Sequence, residues 1–298
     1  MRIYITGGTG FIGSYVVREL ANGRDEITVL ARNPAKVPAL AKLPKVRIVK
    51  APMHDFGAIR KHLVKPDALV HIALCWGDTA GEMIRNETIP SVELLDLAAG
   101  RGAKKVLYTS STAAVGYKEE KIYEDTFRRP DDFYGATKGS VELFIDGLCR
   151  QYPKTRFNVI RPGYTFGNPV VEGASMENDK RMNGICGRVK RGERVELAAG
   201  DGTQFIWAGH LARLFRAVLE SGVNDEIFYG MSRHFMTWAD IAKTAAELTG
   251  SKSVISLRGK AGKPHLFQMD KIRKYFGLSF DNRKEMREHV RYLCERNC

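Results

Sequence analysis

Thr6-Gly7-Gly8-Thr9-Gly10-Phe11-Ile12-Gly13 follows a short β-rich run, Arg2–Thr6. It opens a segment, residues 14–21, in which Val16, Val17 and Leu20 recur at helical spacing. Glycines at intervals of three between a strand and a helix allow a tight turn and let backbone N–H groups approach a pyrophosphate closely. The helix N-terminus adds partial positive charge at the same point. The octapeptide therefore reads as a phosphate-cradling strand–turn–helix.

Outward from it the pattern alternates. Glu26–Ala31, Val46–Lys50, Lys105–Thr109 and residues 157–161 read as strands, and 68–73 is a continuous apolar run of the kind buried on both faces. Residues 59–63, 92–99 and 134–149 have helical spacing, and in the last of these Val141, Phe144, Ile145 and Leu148 share a face. This β-α-β-α order predicts an α/β fold with a doubly wound parallel sheet. Beyond residue 162 the pattern loosens into a stretch rich in Gly, Asn and Pro. Two more helices are expected at 211–219 and 237–248, the second with Thr237 as N-cap and Gly250 as its stop.

The 298 residues carry 47 Lys+Arg and 34 Asp+Glu, a net charge of +13. An apolar share of 44% and a charged share of 27% are those of a globular chain large enough to fold without disulfides. The longest apolar stretch, 68–76, contains His71 and falls far short of the ~20 residues of a membrane span. None of the five cysteines forms a C-x-x-C, so reduced thiols and a cytoplasmic location are expected, with Cys294 and Cys298 in a loose helical tail. No histidine pattern suggests a metal, and no G-x-S-x-G suggests a hydrolase. The positive excess lies mostly in the second half, where Arg188, Lys190, Arg191 and Arg194 cluster. A small anionic ligand is expected there. No recognition motif accompanies the charge, so no specific nucleic-acid partner is expected.

Tyr134-Gly135-Ala136-Thr137-Lys138 puts a phenol and an ammonium on one helical face. A free tyrosine has a pKa near ~10, and a cation one turn away stabilises its phenolate enough for acid/base work at neutral pH. Tyr117 and Lys121 share the spacing but begin no apolar-faced helix. Tyr134 also follows the hydroxyl cluster Ser110-Ser111-Thr112, which closes a strand, and a hydroxyl there can hold a substrate oxygen beside the phenol.

TGGTGFIG, the Tyr134/Lys138 pair, the segment SSTAAVGY at 110–117, Val70-His71-Ile72-Ala73, Asn86 with Leu94, Leu95 and Ala98, and Arg161-Pro162-Gly163 together resemble the extended short-chain dehydrogenase/reductase superfamily, the NAD(P)-dependent epimerase/dehydratase family. The resemblance covers roughly residues 1–280 and implies a Rossmann cofactor domain at 1–162 and about 200–222. A smaller, discontinuous α/β substrate domain is implied at about 163–199 and 223–298. It implies Tyr134 as acid/base and Lys138 as the group that lowers its pKa and holds a ribose. Thr112, or second Ser111, would orient the reacting oxygen. Gly7, Thr9, Gly10, Phe11, Ile12 and Gly13 would cradle the cofactor, with Ala73 and Pro162 lining it; Tyr164 and Arg188 are candidate substrate contacts. A homodimer through the Tyr-bearing helix and its neighbour is also implied.

Departures refine this. NAD-binding relatives place a carboxylate at the end of the second strand, where this chain has Ala31 and then Arg32, whose guanidinium suits a 2′-phosphate, so NADP is expected over NAD. The Asp-Glu pair of dehydratases is Ala113-Ala114 here, which argues against sugar dehydration. Tyr164 replaces an expected Asn, and the late acids and the Arg of R-D-F-V-H-V-D-D-L-A are missing from residues 203–212. Three readings follow: hydride transfer at a carbinol/carbonyl carbon of a nucleotide sugar, an NADPH-dependent carbonyl reductase with an exchanging cofactor, and a non-catalytic NADP-sensing protein.

Overall fold

The expected apolar runs pair edge to edge in a computed structural model that describes residues 1–176 and 180–296. Strands β1 (Arg2–Thr6), β2 (Glu26–Ala31), β3 (Val46–Lys50), β4 (Ala68–His71), β5 (Lys105–Thr109), β6 (Arg156–Pro162) and β7 (Glu226–Gly230) form one sheet. All pairings are parallel, in the order β7-β6-β5-β4-β1-β2-β3. The order reverses between β1 and β4. In open α/β sheets that switch point leaves a crevice at the carboxyl ends of the strands, where ligands bind.

Helices cover both faces, which is why the inner strands are apolar throughout. On one face α1 (Phe11–Ala21) and the later helix Ala208–Glu220 bury Val16, Val17 and Leu20 against Leu211, Leu214, Phe215 and Val218. On the other face lie α2 (Phe56–His62), α3 (Ile89–Gly100) and α4 (Phe133–Gln151). Their Ile59, Leu94, Leu95, Val141, Ile145 and Leu148 cover Tyr4, Leu69, Val106 and Tyr108. Each fully buried aliphatic side chain contributes roughly 1.5–3 kcal/mol. A separate core joins α5 (Lys180–Lys190), which precedes α6 (Ala208–Glu220), to α7 (Trp238–Thr249) and α8 (Arg283–Arg296), through Met182, Ile185, Ile241, Val290 and Leu293.

Several boundaries differ from expectation for local reasons. Gly10 is the N-cap of α1, so the helix starts at Phe11 rather than after the last glycine. Strand β4 ends at His71, where Ile72 and Ala73 turn towards Thr6. Strand β7 joins the sheet from a stretch that the sequence grouped with the second half. Thr237 does cap α7: its hydroxyl accepts from Asp240 N while the Asp240 carboxylate accepts from Thr237 N, and Gly250 closes the helix at φ +66°. One short pairing ties late chain to early chain, and a buried amide braces it. Leu266–Phe267 runs parallel to Lys121–Ile122, fixed by Leu266 N donating to Glu120 O and Gln268 N to Ile122 O. The buried Gln204 amide binds the carbonyls of Ser232 and Phe267 and the Phe267 N–H. Among the described residues, no helix is long and apolar enough to cross a membrane. Cys298 lies outside the described residues.

Candidate active site

The glycine turn is pressed against the end of β4. Gly7 has φ +70°, and a Cβ there would lie 2.5 Å from Ala73 N. A Cβ on Gly13 would lie 2.0 Å from Gly7 O, and Gly10 N donates to that same carbonyl at 2.9 Å. Gly8, not singled out from sequence, is also tight: its Cβ would lie 2.7 Å from a Val29 methyl. The first turn of α1 has no acidic side chain, and Gly10 supplies no side-chain cap, so nothing from the chain competes with an anion for the helix N-terminus. Thr9, Phe11 and Ile12 are half-buried around this cradle. The glycines let the turn fold this tightly on its own backbone at the start of α1, a strand–turn–helix form that fits the diphosphate of a dinucleotide.

Ala73 N donates to Thr6 Oγ1 at 3.3 Å, which fastens the loop after β4 to β1. Arg32 is exposed just beyond β2. It lies near enough to act on Cys75, whose thiol is pushed up by burial and by Glu87 against the pull of Arg32 and Lys138. His71 is buried, with Nδ1 2.6 Å from Thr6 Oγ1 and Nε2 2.9 Å from Ser91 Oγ. Burial, reinforced by Lys138, pushes it down to about 3, so the imidazole is neutral.

Helix α4 packs on the turn that follows β5. Asp132 caps it by accepting from Gly135 N at 2.7 Å. A Cβ on Gly135 would lie 2.3 Å from Ala113 O, so the helix start rests directly on the turn Thr112–Ala114. Thr112 is buried there, its hydroxyl 3.5 Å from that of Tyr117. Ser111 caps the turn by accepting from Ala113 N. Ser110 turns the other way and donates to Glu142. Tyr134 is half-buried, its ring 6.1 Å from that of Trp76.

Lys138 is 3% exposed, with Nζ 5.9 Å from the Tyr134 ring centre and 5.2 Å from that of Tyr108. Its partner is Glu87, unforeseen in the sequence: Nζ donates to Glu87 Oε1 at 2.7 Å, and Glu87 Oε2 accepts from Cys75 N at 2.8 Å. Burial alone would lower the Lys138 pKa, but the charge and hydrogen bond of Glu87 help hold it above its ordinary value. Glu87 lies on a π-helical turn, Ile84–Thr88, that leads into α3. Asn86, which the resemblance places at this point, is exposed and donates instead to Trp76 O at 3.1 Å.

One turn beyond Lys138, Glu142 binds Arg161 in a fork, at 2.9 Å to Nε and 2.7 Å to Nη2, and accepts from Arg128 Nε at 2.7 Å. Arg161 also donates to Glu124 O. This pair anchors the end of β6, where Pro162 is buried, to the helix that carries Tyr134 and Lys138. Tyr164 stacks edge-on with Phe205 and Trp238, at 4.9 Å and 5.3 Å. Arg188 sits in the last turn of α5, where its guanidinium engages Glu193 and the Arg194 carbonyl. At the opposite end of that helix Arg181 lies 4.3 Å over the Trp238 ring and binds Asp201. Among the described residues no group of His, Cys, Asp and Glu could hold a metal.

The strand–glycine turn–helix at the switch point agrees with what the family model and the curated relatives show, an NAD(P)-dependent oxidoreductase or epimerase of the extended short-chain dehydrogenase type. The chain belongs to the NAD dependent epimerase/dehydratase family, whose profile matches residues 3–229. It is similar to a dTDP-4-dehydro-6-deoxy-D-allose reductase of a Streptomyces species, 28% identical over 246 residues, which are 76% of this chain and 74% of the relative. A uronate dehydrogenase of Pseudomonas putida is 24% identical over 242 residues, 80% of this chain and 79% of that one. Among solved structures, a UDP-glucuronic acid 4-epimerase from Bacillus cereus in complex with UDP-glucuronic acid and NAD has a TM-score of 0.82 at 16% identity, covering 99% of both chains. A UDP-glucose 4-epimerase from Thermotoga maritima has a TM-score of 0.78 at 21% identity, covering 99% of this chain and 98% of its own. At these identities the structures establish the shared fold.

Proposed function

We propose that this protein transfers hydride at a carbinol/carbonyl carbon of a nucleotide sugar, using NADP(H) and Tyr134 as acid/base. The observation that carries the reading is the buried Lys138 ammonium 5.9 Å from the Tyr134 ring. In general a cation beside a phenol favours transfer of the phenolic proton, the step that acid/base work needs. When bound, the cofactor supplies or accepts the hydride. Gly7, Gly10 and Gly13 hold its diphosphate, Thr9, Phe11, Ile12, Ala73 and Pro162 line it, and Lys138 orients its ribose. Thr112, with Ser111 beside it, positions the reacting oxygen against Tyr134, which moves the proton at that oxygen. Tyr164 stands on the substrate side.

Arg32 supports NADP over NAD, because it follows β2 where no carboxylate opposes a 2′-phosphate. The same residue favours a second reading, a reductase whose NADPH exchanges each turn, as do the relatives named as a reductase and a dehydrogenase. Residues 1–162 and about 200–222 would carry the cofactor, together with β7, and the remainder the substrate. Exposed Leu143 and Phe144 on α4 and Ile89 on α3 support a homodimer through these helices, which light scattering measures.

The deciding experiment denatures the purified protein and assays the released nucleotide. Near-stoichiometric NADP favours the retained-cofactor chemistry of an epimerase. An empty protein that binds NADPH favours the reductase. A protein that neither carries nor binds a nicotinamide nucleotide overturns both. Tyr134→Phe should then abolish turnover and leave cofactor affinity within about twofold.

A further inference from the structure

We propose that Glu87 is the counter-charge of Lys138 in the working enzyme, a positioning residue whose carboxylate lets one buried site hold both an ammonium and a positively charged oxidised nicotinamide. The inference rests on the cofactor reading above and assigns a role to a residue outside the Tyr–Lys pair.

Glu87 is 2% exposed and Lys138 3%, and their contact is 2.7 Å. Both carboxylate oxygens are fixed, one by Lys138 and the other by the Cys75 amide. The clamp thus joins α4 to the loop after β4, the loop that presses on Gly7 and carries Trp76 to the Tyr134 ring. The π turn explains why Glu87 and not Asn86 faces inward. An i→i+5 turn inserts one extra residue into the helix, so the inward stripe reaches Glu87 and then Ser91, which meets His71.

The other groups around the ammonium do not offset it. His71 on β4 is neutral. Tyr108 on β5 is pushed up by burial and stays a phenol. The Cys75 thiol is raised by burial and by Glu87 itself. Glu142, one turn along α4, is matched by Arg161 and Arg128. Arg32 adds positive charge near Cys75. Without Glu87 the floor of the site would carry one uncompensated cation, which repels a pyridinium and leaves an uncharged dihydronicotinamide indifferent.

The test is calorimetric titration of NADP⁺ and NADPH into wild type and Glu87→Gln. At an effective dielectric near 20 a unit charge is worth about tenfold at about 12 Å from the ring, and more when closer. NADP⁺ should therefore weaken by about tenfold in E87Q while NADPH changes by less than about twofold. The double variant E87Q/K138M, which carries neither charge, should return the ratio of the two affinities to within about twofold of wild type. A role in folding alone would weaken both forms alike, and equal weakening, or no change in the ratio, overturns the proposal. Should E87Q not fold, Lys138→Met is read in its place: the unpaired carboxylate should favour NADP⁺ over NADPH by about tenfold relative to wild type, and an unchanged ratio overturns the proposal. Wild type that binds neither nucleotide overturns the function itself, whereas wild type that binds both with the ratio unmoved in the variants overturns only the role of Glu87.

Discussion

Removing the charge of Glu142 should be among the costliest single changes in the molecule. Glu142→Gln keeps the shape of the side chain, so packing is conserved and the effect isolates the ion pair. Arg161, 1% exposed, keeps its hydrogen bond to Glu124 O but loses a forked carboxylate, and Ser110 loses a charged acceptor. Breaking a buried pair from one side leaves an uncompensated charge and costs about 3–5 kcal/mol. With an unfolding slope of about 3 kcal/mol per molar urea, the midpoint should fall by about 1 M or more. Burial alone would raise the Glu142 carboxyl, but the hydrogen bonds and charge of Arg161, then Ser110 and Arg128, outweigh it and hold it below its ordinary 4.5. A lowered carboxyl contributes stability that is complete above its unfolded pKa and lost as pH falls through the folded one. The gap between wild type and variant should therefore narrow below about pH 4.5. The apolar double replacement Glu142→Leu with Arg161→Met should recover most of the loss, because neither charge is then buried. Urea titrations followed by circular dichroism read all of this. A midpoint shift below about 0.3 M in E142Q, or a double variant no more stable than the single one, would refute the reasoning.

Two further changes act through pH with opposite signs. His71, held down to about 3 from 6.5, takes no proton in the folded state where the unfolded chain does. Wild-type stability should fall by up to about 1.4 kcal/mol per pH unit below pH 6.5, and His71→Gln should flatten that slope in urea titrations at pH 7.5 and 5.5. Glu124, pushed up to about 7 mainly by burial, has an Oε1 with no hydrogen-bond partner among the described residues. Its raised pKa favours the folded state fully below pH 4.5 and loses that effect as pH rises through 7, so Glu124→Gln should raise the melting temperature at pH 8 more than at pH 5.5. Gly13→Ala would put a methyl 2.0 Å from Gly7 O, and should abolish nicotinamide nucleotide binding while leaving far-ultraviolet dichroism near that of wild type.

Sequence reading captured the elements whose signals are local. Strands β2, β3 and β5 and the cap of α7 each follow from a periodic run or a capping residue a few positions away. Where tertiary contacts decide, it faltered. Glu87 lies one residue from the expected Asn86, and only the π turn, which no composition marks, settles which of them points inward. The Glu142–Arg161 fork joins residues 19 apart in sequence through a helix and a strand, with no spacing to announce it. Strand β7 is five residues of modest apolarity whose place at the sheet edge is set by β6 and by Lys271, Tyr275 and Phe276, far off in sequence. Arg188 looked like an anion contact because basic residues cluster around it, yet its own neighbours Glu193 and Arg194 engage it.

The pairing of Leu266–Phe267 with Lys121–Ile122 sets an order of events during synthesis. A two-residue strand cannot stand without its partner. The loop from Thr112 to Tyr134 thus waits for nearly the whole chain to emerge, with Tyr117 packing on Phe267 at 5.6 Å and His265 binding Glu119 O. The glycine turn, β1 and β4 have their strand partners within the first part of the chain to be made. A nascent protein therefore acquires its cradle for a nucleotide well before the walls around Thr112 close, and a chain that ends short of residue 266 would have a site to occupy but no finished place for chemistry.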